Sequence, residues 1–175
     1  MKRSLFLILC LSGLLFNCQA PTPDAANTTE ATPTEIDTTP RVTGIGGIFF
    51  KSEDPGATKA WYSENLGMKV DDFGAPFEFR NANRPEEVNY LNWDAFVDST
   101  NYFDPSSKPF MINYRVQNLE GLVANLKANG VTILDEMTVV DYGKFIHILD
   151  NEGNKIELWE PVDSVLATFG RSTNK

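Results

Sequence analysis

Two glycines 63 residues apart, Gly67 and Gly130, each stop a helical pattern, and the same order of elements surrounds both. In "EDPGATKAWYSENLG", Asp54 is placed as an N-cap, Pro55 suits the first turn, and Gly67 supplies a residue that can end the helix left-handed. Ahead of Gly130, Leu119, Leu122, Val123 and Leu126 form the i, i+3, i+4, i+7 stripe of a second helix. Strand patterns precede the two helices, "VTGIGGIFFK" and "PFMINYRV", and about three strands are expected to follow each. In the first half these include "MKVDDFGAPFEFR" and "EVNYLNWDAFVD"; in the second they are "VTILDEMTVV", "KFIHILD" and "KIELWEP". Two copies of so long a unit make a duplicated module, not a solenoid. Neither half holds enough apolar residues for a core of its own. The expected fold is therefore α+β: two paired βαβββ modules, about residues 42–98 and 108–162, with their helices on the outside.

Ahead of this domain the texture differs. Lys2 and Arg3 open the chain, and Leu5 to Phe16 is an apolar run too short to span a bilayer. Residues 1–18 read as a signal peptide whose Leu15-Phe16-Asn17-Cys18 ending resembles a lipobox, with Cys18 the lipidated residue. Ordinary signal-peptidase cleavage after Ala20 is the alternative. Residues 19–41 form a Thr/Pro-rich linker: Ala20 to Arg41 holds seven Thr and four Pro, and Ile36 is its only large aliphatic residue. Residues 163–175 are expected to be a C-terminal tail. The chain is then an exported lipoprotein of the cell envelope, held to the membrane only through its anchor. Both cysteines, Cys10 and Cys18, lie in the leader, so the domain has no disulfide, thiolate nucleophile or thiolate ligand. Net charge is −9, and the leader holds basic residues only, so the exported part is more acidic still. Phosphate backbones would repel such a chain, and nucleic acid is excluded as a partner.

The last strand poses the functional question. In "KIELWEP", Ile156 and Leu158 share one face, and Glu157 and Trp159 share the other. Glu157 either pairs with a cation at a sheet edge or faces a cavity, as a general base or an acceptor for a ligand hydroxyl or amine. His147, the chain's only histidine, is either a satisfied core side chain or a partner of Glu157, in which case each favours the other's charged form. "FMINYRV" groups Met111, Asn113 and Arg115 on one face. Asn113 and Arg115 there present donors to a polar ligand, or Arg115 neutralises buried acids such as Glu157. Phe49, Trp93, Phe96, Tyr102 and Trp159 are candidate aromatic walls, one or two of which should line a cavity. "GIGG" lies within a strand and is no phosphate loop, and one histidine leaves little room for a hydrolase triad.

The stretches "GGIFFKSEDPGATKAWYSENLGM", "PFMINYRVQNLEGLVANLKANGV" and "DNEGNKIELWEP" together resemble the vicinal oxygen chelate superfamily of glyoxalase I, bleomycin-resistance proteins, fosfomycin-resistance enzymes and extradiol dioxygenases. The resemblance implies two half-open cups facing a common cavity. It also implies metal ligands on the first and last strands of each module. Glu157 falls at the acid position of the second module, and its counterpart falls at about Asn92 or Leu91. The first-strand positions fall at Gly47, which has no donor, and Met111, whose thioether is a poor ligand for hard or borderline divalent ions. The divalent-metal ligand set is therefore incomplete, and no cofactor is expected. Glu157 and His147 are the catalytic candidates. Asn113, Arg115, Trp159, Phe49, Asn92 and Met111 are the ligand-binding ones. Three functions stay open: a binding domain for a small polar molecule, a glyoxalase-like lyase or isomerase, and a stoichiometric sequestering protein. A second copy of the chain is a candidate partner.

Overall fold

The computed structural model describes residues 37–175. The signal peptide, Cys18 and most of the linker lie outside the described residues. The linker's last residues lie against the second module: Gln117 donates to the Asp37 and Thr39 carbonyls, and Asn118 to that of Thr38. The elements are β1 (Arg41–Ser52), α1 (Pro55–Leu66), β2 (Ala75–Asn81), β3 (Arg84–Val97), β4 (Phe110–Gln117), α2 (Leu119–Ala128), β5 (Thr138–Val140), β6 (Gly143–Leu149), β7 (Lys155–Pro161) and α3 (Asp163–Leu166). A 3₁₀ turn over Ala167–Phe169 follows. The strands form one seven-stranded sheet in the order β2-β3-β1-β4-β7-β6-β5. In each module the first strand runs parallel to the last, β1 beside β3 and β4 beside β7, and the modules join through the antiparallel pair β1–β4. Among the described residues no helix is long and apolar enough to cross a membrane.

The helix boundaries follow from local chemistry. Asp54 accepts from the Ala57 amide at the start of α1, and Gly67 ends it at φ 67°, where a side chain would be strained. Strand alternation then divides the core from the site. Val116, Ile146, Ile148 and Leu158 pack under Leu119 and Val123 of α2. On the first module Trp93 and Ala95 pack with Tyr62 of α1. Trp93, expected as an aromatic wall, thus belongs to the helix side of β3. It neighbours Asn92 in the strand, and alternation allows only one of the two the opposite face.

Three stretches depart from expectation. The first module has two strands after its helix: residues 71–74 close a tight turn through paired hydrogen bonds between Asp71 and Gly74, the latter at φ 97°. The open edge of β2 is instead met by the C-terminal segment, where Asn174 bridges Phe77 and exchanges backbone bonds with Pro76 and Glu78. The C-terminal tail expected over 163–175 is therefore structured against the first module. "VTILDEMTVV" splits into an isolated bridge from Ile133 to Ile148 and the three residues of β5. Asp135, between those pieces, bonds its carboxylate to the backbone and ring of His147.

Candidate functional site

Register brings the central side chains together. Asn113 lies opposite Gly47 and Glu157, and Glu157 lies opposite His147, so β4, β7 and β6 set three polar side chains in one row. Glu157 is only 4% exposed, and burial alone would raise its pKa. Hydrogen bonds from His147, Tyr102 and Asn113 outweigh that and hold the carboxyl below its usual range. His147 Nε2 lies 3.0 Å from Glu157 Oε1, which also accepts from the Tyr102 hydroxyl, while Asn113 Nδ2 donates to Oε2. The other ring nitrogen, His147 Nδ1, lies 2.5 Å from Asp135 Oδ2. Burial pulls the His147 pKa down, but the hydrogen bonds to Glu157 and Asp135 raise it on balance, which favours the charged ring. Burial and the Glu157 charge push the Tyr102 hydroxyl far up, which keeps it a donor. Lys155, whose own pKa burial lowers, donates to the Tyr102 carbonyl at 2.6 Å and thereby holds the inter-module link in place.

This row is the floor of a cleft of about 1040 Å³. Thr138 and Val140 of β5 line one end and Asp71, Asp72 and Phe73 the other, so residues at opposite ends of the sheet close on one space. Phe49, Tyr102, Phe145 and Trp159 supply aromatic walls, and Phe145 stacks on Trp159 at 5.6 Å. Leu166, Phe169 and Arg171, from the C-terminal segment, complete the lining. Gly46 is required here: a Cβ would stand 2.2 Å from Asn113 Oδ1 and 2.8 Å from the Trp159 ring, so only glycine lets both side chains lie across β1.

Of the residues expected at the site, Glu157, His147, Asn113, Trp159, Phe49 and Asn92 line the cleft. Arg115 and Met111 lie outside that lining. Arg115 is 4% exposed and sits between Trp159 and Phe79, with Nη2 2.5 Å from Asp163 Oδ2 and Nη1 2.9 Å from the Tyr90 carbonyl. Its charge is met by α3, not by Glu157. Met111 is wholly buried with Phe49 and Phe103. Asp135, Asp163, Phe169 and Arg171 were not among the sequence candidates, and Tyr102 was expected only as a wall. The one local signal was the acid pair Asp135-Glu136 interrupting a strand pattern.

A sequence model of the Glyoxalase/Bleomycin resistance protein/Dioxygenase superfamily matches residues 44–158, about two thirds of the chain. The chain belongs to this superfamily. Solved relatives share its architecture. One is a Mn(II)-bound glyoxalase from Novosphingobium aromaticivorans, at 18% identity and TM-score 0.51, with 78% of this chain and 42% of that chain covered. Another is a methylmalonyl-CoA epimerase from Streptomyces coelicolor, at 14% identity and TM-score 0.50, covering 70% and 99%. A methylmalonyl-CoA epimerase from Mycobacterium tuberculosis is 23% identical at TM-score 0.49, covering 76% and 97%. At these identities the likeness of the first two is one of fold. No curated protein matches the chain.

The superfamily's metal does not fit these donors. Both His147 ring nitrogens are already engaged by carboxylates. Both Glu157 oxygens already accept hydrogen bonds, Gly47 has no side-chain donor, and the Met111 sulfur is sealed in the core. Among the described residues no group of three His, Cys, Asp or Glu side chains is disposed to hold an ion.

Proposed function

We propose that the protein is an envelope-anchored member of its superfamily that binds a small polar organic molecule in the cleft above Glu157, without a metal ion. The observation that carries this reading is the placement of an ionised, nearly buried carboxylate at the floor of an open, aromatic-walled cleft. A structural ion pair needs no such space above it, and a volume near 1000 Å³ is that of a small-molecule site. A glyoxalase-like lyase or isomerase would need a base poised near the working pH. Glu157 is moved the opposite way by its three donors, which favours binding over proton abstraction. A stoichiometric binder of this kind also suits sequestration of a toxic compound outside the cytoplasm. The anchor is Cys18, acylated after removal of the leader.

The test is native mass spectrometry of the full chain extracted from its membranes in mild detergent. The expected spectrum shows an acylated Cys18 N-terminus and a 1:1 adduct with one organic molecule. A chain carrying one transition metal and no organic adduct, or one starting unacylated at Pro21, contradicts the corresponding half of the proposal.

A further inference from the structure

The hydrogen-bond polarity of the cleft floor is one-sided. The donors beside Glu157 are engaged: Tyr102 and Asn113 donate to it, and His147 is held between Glu157 and Asp135. Arg171, the guanidinium of the lining, places Nε and Nη2 on Asp71 at 2.8 and 2.7 Å, and Nη1 3.4 Å from Asn92 Oδ1. The acceptors are in surplus. Asn113 Oδ1 belongs to a side chain 2% exposed and has no partner, and it lies over Gly46, itself part of the cleft lining. Glu157 Oε1 already takes two partners, but Oε2 takes one and has capacity for a second. The Asp72 carboxylate of the lining adds negative potential, while Asp94 is paired with Lys59 at 2.8 Å. The buried orphan donor of the lining, the Trp159 indole N–H, lies against Gly143, at the opposite edge of the ring from the carbon that faces Gly46.

A buried acceptor without a partner is costly, and a ligand that donates to it removes the cost. An anionic ligand would set negative charge against Glu157, and among the described residues of the lining the Arg171 guanidinium is already paired with Asp71. Aromatic side chains of the lining such as Phe145 and Phe169 attract cations and flat rings. Resting on the reading of this cleft as a ligand site, we infer that its ligand is an organic cation, an amine or amidine carried on a flat apolar body, whose N–H groups donate to Asn113 Oδ1 and Glu157.

Calorimetry of the full chain at neutral pH with benzamidinium, benzyl alcohol and benzoate tests this, because the three probes share one ring and differ in charge. Benzamidinium is expected to bind at least about tenfold more tightly than the other two. Its affinity should fall about tenfold in Asn113→Ala and severalfold in Phe169→Ala, which removes a wall side chain half exposed in the free protein. Benzoate or benzyl alcohol binding as tightly as benzamidinium, or no benzamidinium binding at millimolar concentration, overturns the cation assignment. Neutral or anionic probes that bind and are weakened by Phe169→Ala would remove the cation alone and leave the ligand cleft standing. The mass and charge of the copurified molecule test the cleft itself.

Discussion

Glu157 and His147 stabilise each other's charged forms, so the folded chain should carry their signature in its response to pH. His147 has a folded pKa above its unfolded value of about 6.5; its stabilisation is complete below that pH and is lost as pH rises through the folded value. Glu157 is shifted below an unfolded value of about 4.3; its stabilisation is complete above that pH and is lost as pH falls through the folded value. Stability contributed by this pair is therefore greatest between about pH 4.3 and 6.5. The chain has a single histidine, so the decline on the alkaline side should vanish in His147→Gln. Urea unfolding midpoints measured from pH 6 to pH 9 check this, and parallel declines in both proteins would contradict it. Much of this site was legible from alternation, which put Asn113, His147, Glu157 and Trp159 on one side of their strands. Alternation gives a side chain's face but not its depth. Met111 and Arg115 share the face of Asn113, yet one is sealed under Phe103 and the other is covered by α3.

The least legible element is the one that completes the cleft. Helices α1 and α2 announce themselves through caps and a stripe, because those signals are local. The segment after Pro161 has no periodicity; its order comes from single contacts distant in sequence. Arg171 clasps Asp71, Asn174 pairs with Lys69 and Pro76, and Asp163 meets Arg115 48 residues away. "VTILDEMTVV" failed as one strand for a related reason, since its Asp135 is drawn to His147. The Arg115–Asp163 pair predicts a mutational asymmetry. Asp163→Ala leaves a buried guanidinium without its counter-charge and should cost about 2–3 kcal/mol, less than a fully buried pair because Asp163 is partly exposed. Adding Arg115→Met removes the stranded charge and should restore most of the loss, as read from urea unfolding of both variants. A loss below about 0.5 kcal/mol in Asp163→Ala would mean that the pair is not structural.

At the scale of the whole molecule, two modules too small to stand alone share one curled sheet, and every wall of the cleft comes from a different part of the chain. The first module gives Phe49 and Asn92, the inter-module link gives Tyr102, the second module gives the polar floor, and the C-terminal segment gives Phe169 and Arg171. Of the positions where the resemblance implies metal ligands, Glu157 is held by hydrogen bonds from Tyr102, Asn113 and His147, and Met111 is sealed in the core. The duplication was readable because helix stops repeat; the bonds to Glu157 and His147 were not, since Tyr102 and Asp135 lie outside the positions that the repeat aligns. The most direct measurement is calorimetric titration of the copurified molecule, reisolated, into the full-length wild type, Asn113→Ala and Phe169→Ala chains. Asn113→Ala in the floor should weaken binding about tenfold, a loss of about 1.4 kcal/mol, and Phe169→Ala in the wall severalfold, while circular dichroism shows the fold retained. Affinities within twofold of wild type for both variants would contradict a ligand site in this cleft.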